Sequence, residues 1–207
     1  MLAYVFWHRC REGTDIEAYE QALIAFQRSL ARMPPVGMRG SAVFRVGALP
    51  WSVGAALGEE PGGVTAGAGY EDWYLVEDYA ALGVLGEAAV GRGHRTSHDR
   101  AARGLGWGTA SLYRLLEGDA RSVSGAGAAS SATWVSRPLG SPERPLAELL
   151  GDGMDPAHAS LWQRQLALGP APEFCLLAGE HPQGVAESRL PAGWRSATLA
   201  RETLPGE

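Results

Sequence analysis

Five histidines, 18 arginines and 23 carboxylates are the groups in this 207-residue chain that could transfer protons or hold charged ligands. Lysine is absent, so a Schiff-base amine, a phosphate-cradling lysine and a Ser-Lys pair are all excluded. No GxSxG, HExxH, CxxC or Walker A pattern occurs. Gly125-Ala126-Gly127 imitates the start of a dinucleotide fingerprint, but a polar linker precedes it where a strand is needed. His94 and His98 stand four apart, with Asp99 next to the second. On a helix that spacing would put both imidazoles on one face, in reach of a metal. Gly91 and Gly93 argue for a loop and no third ligand is near in sequence, so no metal site is expected. His98 with Asp99 as its orienting carboxylate would suit a general base, and a solvated loop histidine is the plainer alternative.

His8 sits in an apolar strand-like run, LAYVFWHR. If the face bearing Tyr4, Phe6 and His8 lines an interior, His8 is a polar group in an apolar cavity. Arg45 and Arg114 lie on strands of the same half, and Asp72 and Tyr74 share one face of a third strand. Together these could orient an anionic or quinone-like ligand. The alternative is structural salt bridging of the arginines to Asp72 or Glu71, favoured because Arg114 recurs as Arg201. Of seven tryptophans, Trp107 and Trp194 recur at matching positions, as Trp7 and Trp134 could, which is what core packing predicts. Trp51 and Trp73 have no counterparts, so they are the candidate pocket residues, with Trp51 as part of a lid.

The elements that must position these groups follow from periodicity. Residues 2–9 alternate as a strand whose two faces are both apolar. Thr14 and Glu17 make a capping box before Ile16, Tyr19, Leu23, Phe26 and Leu30, a helical stripe ended by Pro34-Pro35. Strands are expected over 40–48, 70–76 and 107–116, a Gly- and Pro-rich loop over 49–68, and a helix capped by Asp78. The stretch 92–105 reads as a loop followed by a short helix. This β-α-β-β-α-β order is the ferredoxin-like arrangement. Residues 118–131 have the small, polar composition of a linker.

The second half repeats the first in fragments. GWGTASLYR (106–114) matches GWRSATLAR (193–201), and the helical FQRSLA (26–31) matches WQRQLA (162–167). Only about 14 residues separate strands two and four of the second copy on this reading, so a shortened unit is expected. The expected fold is α+β, with a complete ferredoxin-like unit over 1–118, a linker over 119–131 and a shortened unit over 132–207. Two apolar sheet faces should not stay exposed, so the two antiparallel sheets are expected to pack face to face.

On these grounds the chain resembles the dimeric α/β-barrel superfamily, in a tandem form that places both units in one chain. The resemblance implies a menu of cofactor-free monooxygenases, lactone isomerases, haem-binding or haem-degrading enzymes and proteins without known activity. The expectation is a protein binding a flat or anionic small molecule, a cofactor-independent monooxygenase or isomerase, with haem as the only cofactor the resemblance leaves open. The competing reading is a non-catalytic assembly protein whose duplicated sheets serve packing. A formal charge of −5 speaks against nucleic acid or anionic lipid as partner. Absence of a long apolar run speaks against a membrane span. Reduced Cys10 and Cys175 fit a cytoplasmic monomer or homodimer.

Overall fold

The computed structural model describes residues 1–47, 49, 69–91, 93–138, 140, 159–169, 171–178 and 190–204. The first half carries β1 (Leu2–Cys10), α1 (Ile16–Arg32), β2 (Met38–Val46), β3 (Gly69–Val76), α2 (Tyr79–Val90), α3 (Arg95–Arg103) and β4 (Leu105–Gly118). The second carries β5 (Ser131–Ser136), β6 (Ala159–Ala167), β7 (Phe174–Ala178) and β8 (Arg195–Thr203). The α1 cap is Asp15, whose carboxylate accepts from the Ala18 amide at 3.2 Å, one residue later than the expected Thr14. Asp78 caps α2 as its position suggested. No described helix is long and apolar enough to cross a membrane.

All eight strands pair antiparallel and close a barrel in the order β1-β3-β2-β8-β5-β7-β6-β4. Each half therefore has the same internal order, fourth-first-third-second. The halves join edge to edge through β2–β8 and β4–β6, a correction to the expected face-to-face packing of separate sheets. Closure satisfies every edge strand, which two stacked open sheets would not. The second half is also not short of strands: β7 supplies the third, and four are present. WQRQLA is strand β6 and not a helix. The long edge of β4 offers it ladder partners from Ser111 to Gly118, so pairing overrides the helical likeness of the fragment.

The strongest internal match is out of register by one residue. Trp7 faces Thr109 across β1–β4, and its counterpart Trp134 faces Ala197 across β5–β8. The sequence match instead equates Thr109 with Ser196. A slip of one residue in a strand reverses every side chain. Hence Arg114 is exposed on the outside, whereas Arg201 is buried inside the barrel.

Strand alternation fills the barrel with Trp7, Trp73, Trp134, Trp162, Phe44 and Tyr113. Trp7 meets Trp134 edge to face at 5.0 Å between ring centroids, and Trp73 meets Trp162 likewise at 5.4 Å. Among them lie Glu71 and Arg201, both with fully buried side chains, with Arg201 Nε 3.0 Å from Glu71 Oε1. Trp73 Nε1 donates to Glu71 Oε1 at 2.7 Å and Trp7 Nε1 to Oε2 at 3.1 Å. The Arg201 guanidinium lies 3.5 Å from the Phe44 ring centroid. Burial lowers the pKa of Arg201, and the Glu71 charge opposes that fall. In the expected linker, Val123 and Ala129 are buried against this interior, and Ser122 Oγ meets Ser160 Oγ at 2.5 Å.

The buried ion pair yields a stability prediction. Glu71→Ala strands an arginine inside the barrel and is expected to cost about 3–5 kcal/mol by urea unfolding. The double variant Glu71→Leu/Arg201→Met is expected to be more stable than that single variant. Equal destabilisation of the two would show that packing, and not the stranded charge, sets the cost.

Candidate functional site

The same alternation that sends Trp7 and Trp73 inward sends their neighbours outward, beneath the helices. From β1 come Tyr4, Phe6 and His8; from β3 come Asp72 and Tyr74. The apolar stripe of α1 covers them with Tyr19, Leu23 and Phe26, and α2 adds Leu82 and Leu85. Between these layers is a cavity of about 540 Å³. Its wall is completed by Leu166 and Leu168 of the second half, which reach over the outer face next to β4. Its lining is overwhelmingly apolar, and among the described lining residues none is arginine.

One end of the cavity is polar. His8 is 1% exposed and Asp72 is 4% exposed. His8 Nδ1 lies 2.8 Å from the Tyr19 hydroxyl, and its ring is stacked between Phe6 and Tyr70, at centroid distances of 5.0 and 5.3 Å. Tyr74 donates to Asp72 Oδ2 at 3.0 Å, and Gln27 Nε2 stands 3.5 Å from the Tyr74 hydroxyl. His8 Nε2 and Asp72 Oδ1 are 3.3 Å apart. Neither atom has a hydrogen-bond partner of good geometry among the described residues. A buried polar atom left in this state costs about 1–3 kcal/mol, so two side by side at a cavity wall suggest that a ligand completes them. Burial pushes the phenols of Tyr19 and Tyr74 up, as does the Asp72 charge, so both remain hydrogen-bond donors.

The sequence-predicted residues divide sharply. His8, Tyr74 and His98 line this cavity. His98 stands on α3 with a side chain 34% exposed, edge-on to Phe26 at 5.5 Å, and its Nδ1 is 3.3 Å from Asp99 Oδ1. His94 does not join it. It is buried, with Nδ1 at 2.7 Å from Ser29 Oγ and Nε2 at 3.1 Å from the Met33 carbonyl, and so ties the start of α3 to the end of α1. Trp73 lies in the barrel interior and not in the pocket, because its parity on β3 matches that of Glu71 and not that of Asp72. Arg45 is held by Glu20 at 2.6 Å and Glu202 at 2.5 Å, and Arg114 points to solvent; neither touches the cavity or pairs with Asp72. Trp51 lies outside the described residues.

Tyr19 was the residue that sequence reasoning passed over as a site member, and Asp72, named there only in a ligand-orienting cluster with Tyr74, was given no catalytic role. A hydroxyl-bearing residue within an otherwise apolar helical stripe was the available signal for the first. For the second it was a carboxylate two residues from Tyr74 on a strand facing helices. Haem fits this cavity poorly. Asp72 crowds the one histidine nitrogen that could ligate iron from the strand side, and no described arginine lines the wall to meet the propionates.

No protein-family model matches this chain, and no curated protein sequence matches it. Among solved structures, it is similar to a protein provisionally named a monooxygenase from Lactobacillus acidophilus NCFM, with a TM-score of 0.50 and 7% sequence identity over 97% of this chain and 93% of that one. It is also similar to an anthrone oxidase-like protein, with a TM-score of 0.49 and 11% identity over 98% of this chain and 93% of that one. At such identities the likeness of the first speaks for a shared α+β fold with an antiparallel barrel.

Proposed function

We propose that this chain is an enzyme that removes a proton from a flat, hydroxylated or enolisable ring system, as a cofactor-independent oxygenase or isomerase. One observation carries the reading. A buried nitrogen and a buried carboxylate oxygen, 3.3 Å apart and both unsatisfied, belong to side chains that line a cavity of about 540 Å³ with largely apolar walls. Aromatic side chains on that wall, among them Phe6, Phe26, Tyr4 and Tyr74, suit a planar ligand. The lack of a described arginine there, with a carboxylate at the polar end, favours a neutral hydroxyl over an anionic group.

The roles follow from the inventory of donors and acceptors. A substrate hydroxyl or enol at the polar end donates to Asp72 Oδ1 and accepts from His8 Nε2–H. Asp72 takes the proton, the O–H electron pair stays on oxygen, and His8 steadies the oxyanion as its charge spreads into the ring. Return of the proton at another carbon is an isomerisation. Addition of dioxygen at the carbon carrying the charge, followed by loss of water from the hydroperoxide, converts a ring CH2 and O2 into a carbonyl and H2O without an outside reductant. The name of the Lactobacillus acidophilus neighbour supports the oxygenase branch. The shared strand order of the two halves supports reading the chain as two fused ferredoxin-like units, a dimeric α/β barrel in one chain.

Oxygen uptake with anthrone and with hydroxylated naphthalenes tests this reading. His8→Ala and Asp72→Asn are each expected to lower turnover by about 10²- to 10⁴-fold. Arg45→Ala, away from the cavity, is expected to leave it unchanged. Turnover that survives both cavity substitutions, or none with any planar substrate tried, would sink the proposal.

The retained phenols make a second prediction. Burial raises the pKa of Tyr4, Tyr19, Tyr70, Tyr74 and Tyr113 above the ordinary value near 10. A group whose folded pKa is raised contributes stability that is intact below its unfolded pKa and is lost as pH rises above it. Unfolding free energy is therefore expected to fall as pH rises past about 10, where the unfolded chain releases phenolic protons that the fold retains. The larger part of the rise in absorbance at the phenolate band should accompany loss of circular dichroism.

A further inference from the structure

The imidazole of His8 can carry its proton on either nitrogen, and only one arrangement suits the proposed chemistry. With the proton on Nδ1, the bare Nε2 would confront Asp72 Oδ1 at 3.3 Å, an acceptor facing an acceptor. With the proton on Nε2, that repulsion becomes attraction, and Nδ1 is left to accept. The Tyr19 hydroxyl is the group placed to donate to it, at 2.8 Å, from a side chain 3% exposed. Tyr19 is delivered by α1 directly over the strand that bears His8, and the two rings meet edge to face at 5.9 Å.

We propose that Tyr19 is a positioning residue that fixes His8 as the Nε2–H tautomer, aiming its proton at the oxygen on which charge develops in the substrate. This inference rests on the catalytic reading above for its consequence in turnover, but not for the tautomer itself. Burial keeps the Tyr19 phenol protonated, so its donated hydrogen persists across the neutral range. Tyr70 supplies a matched comparison within the same fold. It stacks on the same imidazole, at 5.3 Å and 15° between planes, but its hydroxyl donates to Glu20 Oε1 at 3.0 Å and not to His8.

Two-bond proton–nitrogen correlation spectra of the full-length, ¹⁵N-labelled protein, taken where the His8 ring is neutral, read the tautomer directly. The wild-type protein and Tyr70→Phe are expected to show His8 protonated on Nε2. Tyr19→Phe is expected to show a mixture with substantial Nδ1–H, and Tyr19→Leu, which lacks the donor in a smaller side chain, should do the same. On an active planar substrate, Tyr19→Phe is expected to lower kcat by about 10- to 100-fold with KM within about threefold, the pattern of a lost transition-state interaction. An Nδ1–H wild type, an unmoved tautomer in Tyr19→Phe, or an equal shift in Tyr70→Phe would each overturn the proposal. If the tautomer moves as expected while His8→Ala and Asp72→Asn keep their turnover, Tyr19 still sets the imidazole and the catalytic reading is what fails.

Discussion

The Glu71–Arg201 pair is the constraint on which the rest of the structure depends. It ties β3 of the first half to β8 of the second on either side of β2, with both side chains fully buried. Two charges in an apolar interior are tolerable only if their positions are fixed by several partners at once. Here two indole N–H groups bind the carboxylate, and an aromatic ring lies against the guanidinium. The tryptophans therefore do more than fill volume, since two of them share the solvation of Glu71. Arginine suits the position better than an ammonium would, because a planar, weakly hydrated cation can lie on a ring face.

That anchoring decides where the candidate site lies. Once Glu71 and Trp73 must point inward, Asp72 and Tyr74 must point outward, and Trp7 does the same for His8. The polar end of the cavity is thus made of the immediate sequence neighbours of the barrel's core. The second half shares the inward pattern but not the outward one. Trp134 faces Cys175 where Trp7 faces Glu71, and the positions corresponding to His8 and Asp72 are Val135 and Leu176. Among the described residues the His8–Asp72 pair is thus confined to the first half, while the second contributes Leu166 and Leu168 as wall.

Much of this was legible in the sequence, and several of the failures share one cause. The four strands and two longer helices of the first half follow from period and caps, and the face carrying Tyr4, Phe6 and His8 was visible as a unit. What one sequence does not display is register between distant strands. The likeness of 106–114 to 193–201 identified topologically equivalent strands, yet its one-residue slip reversed the faces and made Arg114 look like a partner of Arg201. Trp73 was misplaced for the same reason, as parity relative to the barrel depends on which neighbour Glu71 must meet. The fragment 162–167 failed differently, because its helix-like composition was outweighed by the edge of β4, a partner nearly 50 residues away in sequence. Arg45 found Glu20 and Glu202, one of them 157 residues distant, and no local rule selects such partners.

The two polar clusters show how one chemical type serves opposite ends. Inside the barrel, Glu71 has its oxygens occupied by indoles and a guanidinium, so it is committed to structure. Outside, one oxygen of Asp72 is held by Tyr74 while the other lies 3.3 Å from an unsatisfied histidine nitrogen at the wall of the cavity. The cost of leaving that second pair incomplete, about 1–3 kcal/mol for each atom, is borne by a fold whose closed barrel leaves no strand edge to be stabilised elsewhere. A ligand that offers one donor and one acceptor on a single oxygen recovers this energy, and a purely apolar ligand of the same shape does not. The proposed preference for a hydroxyl-bearing planar molecule therefore rests on the incomplete pair, and the apolar walls bear only on its shape and size.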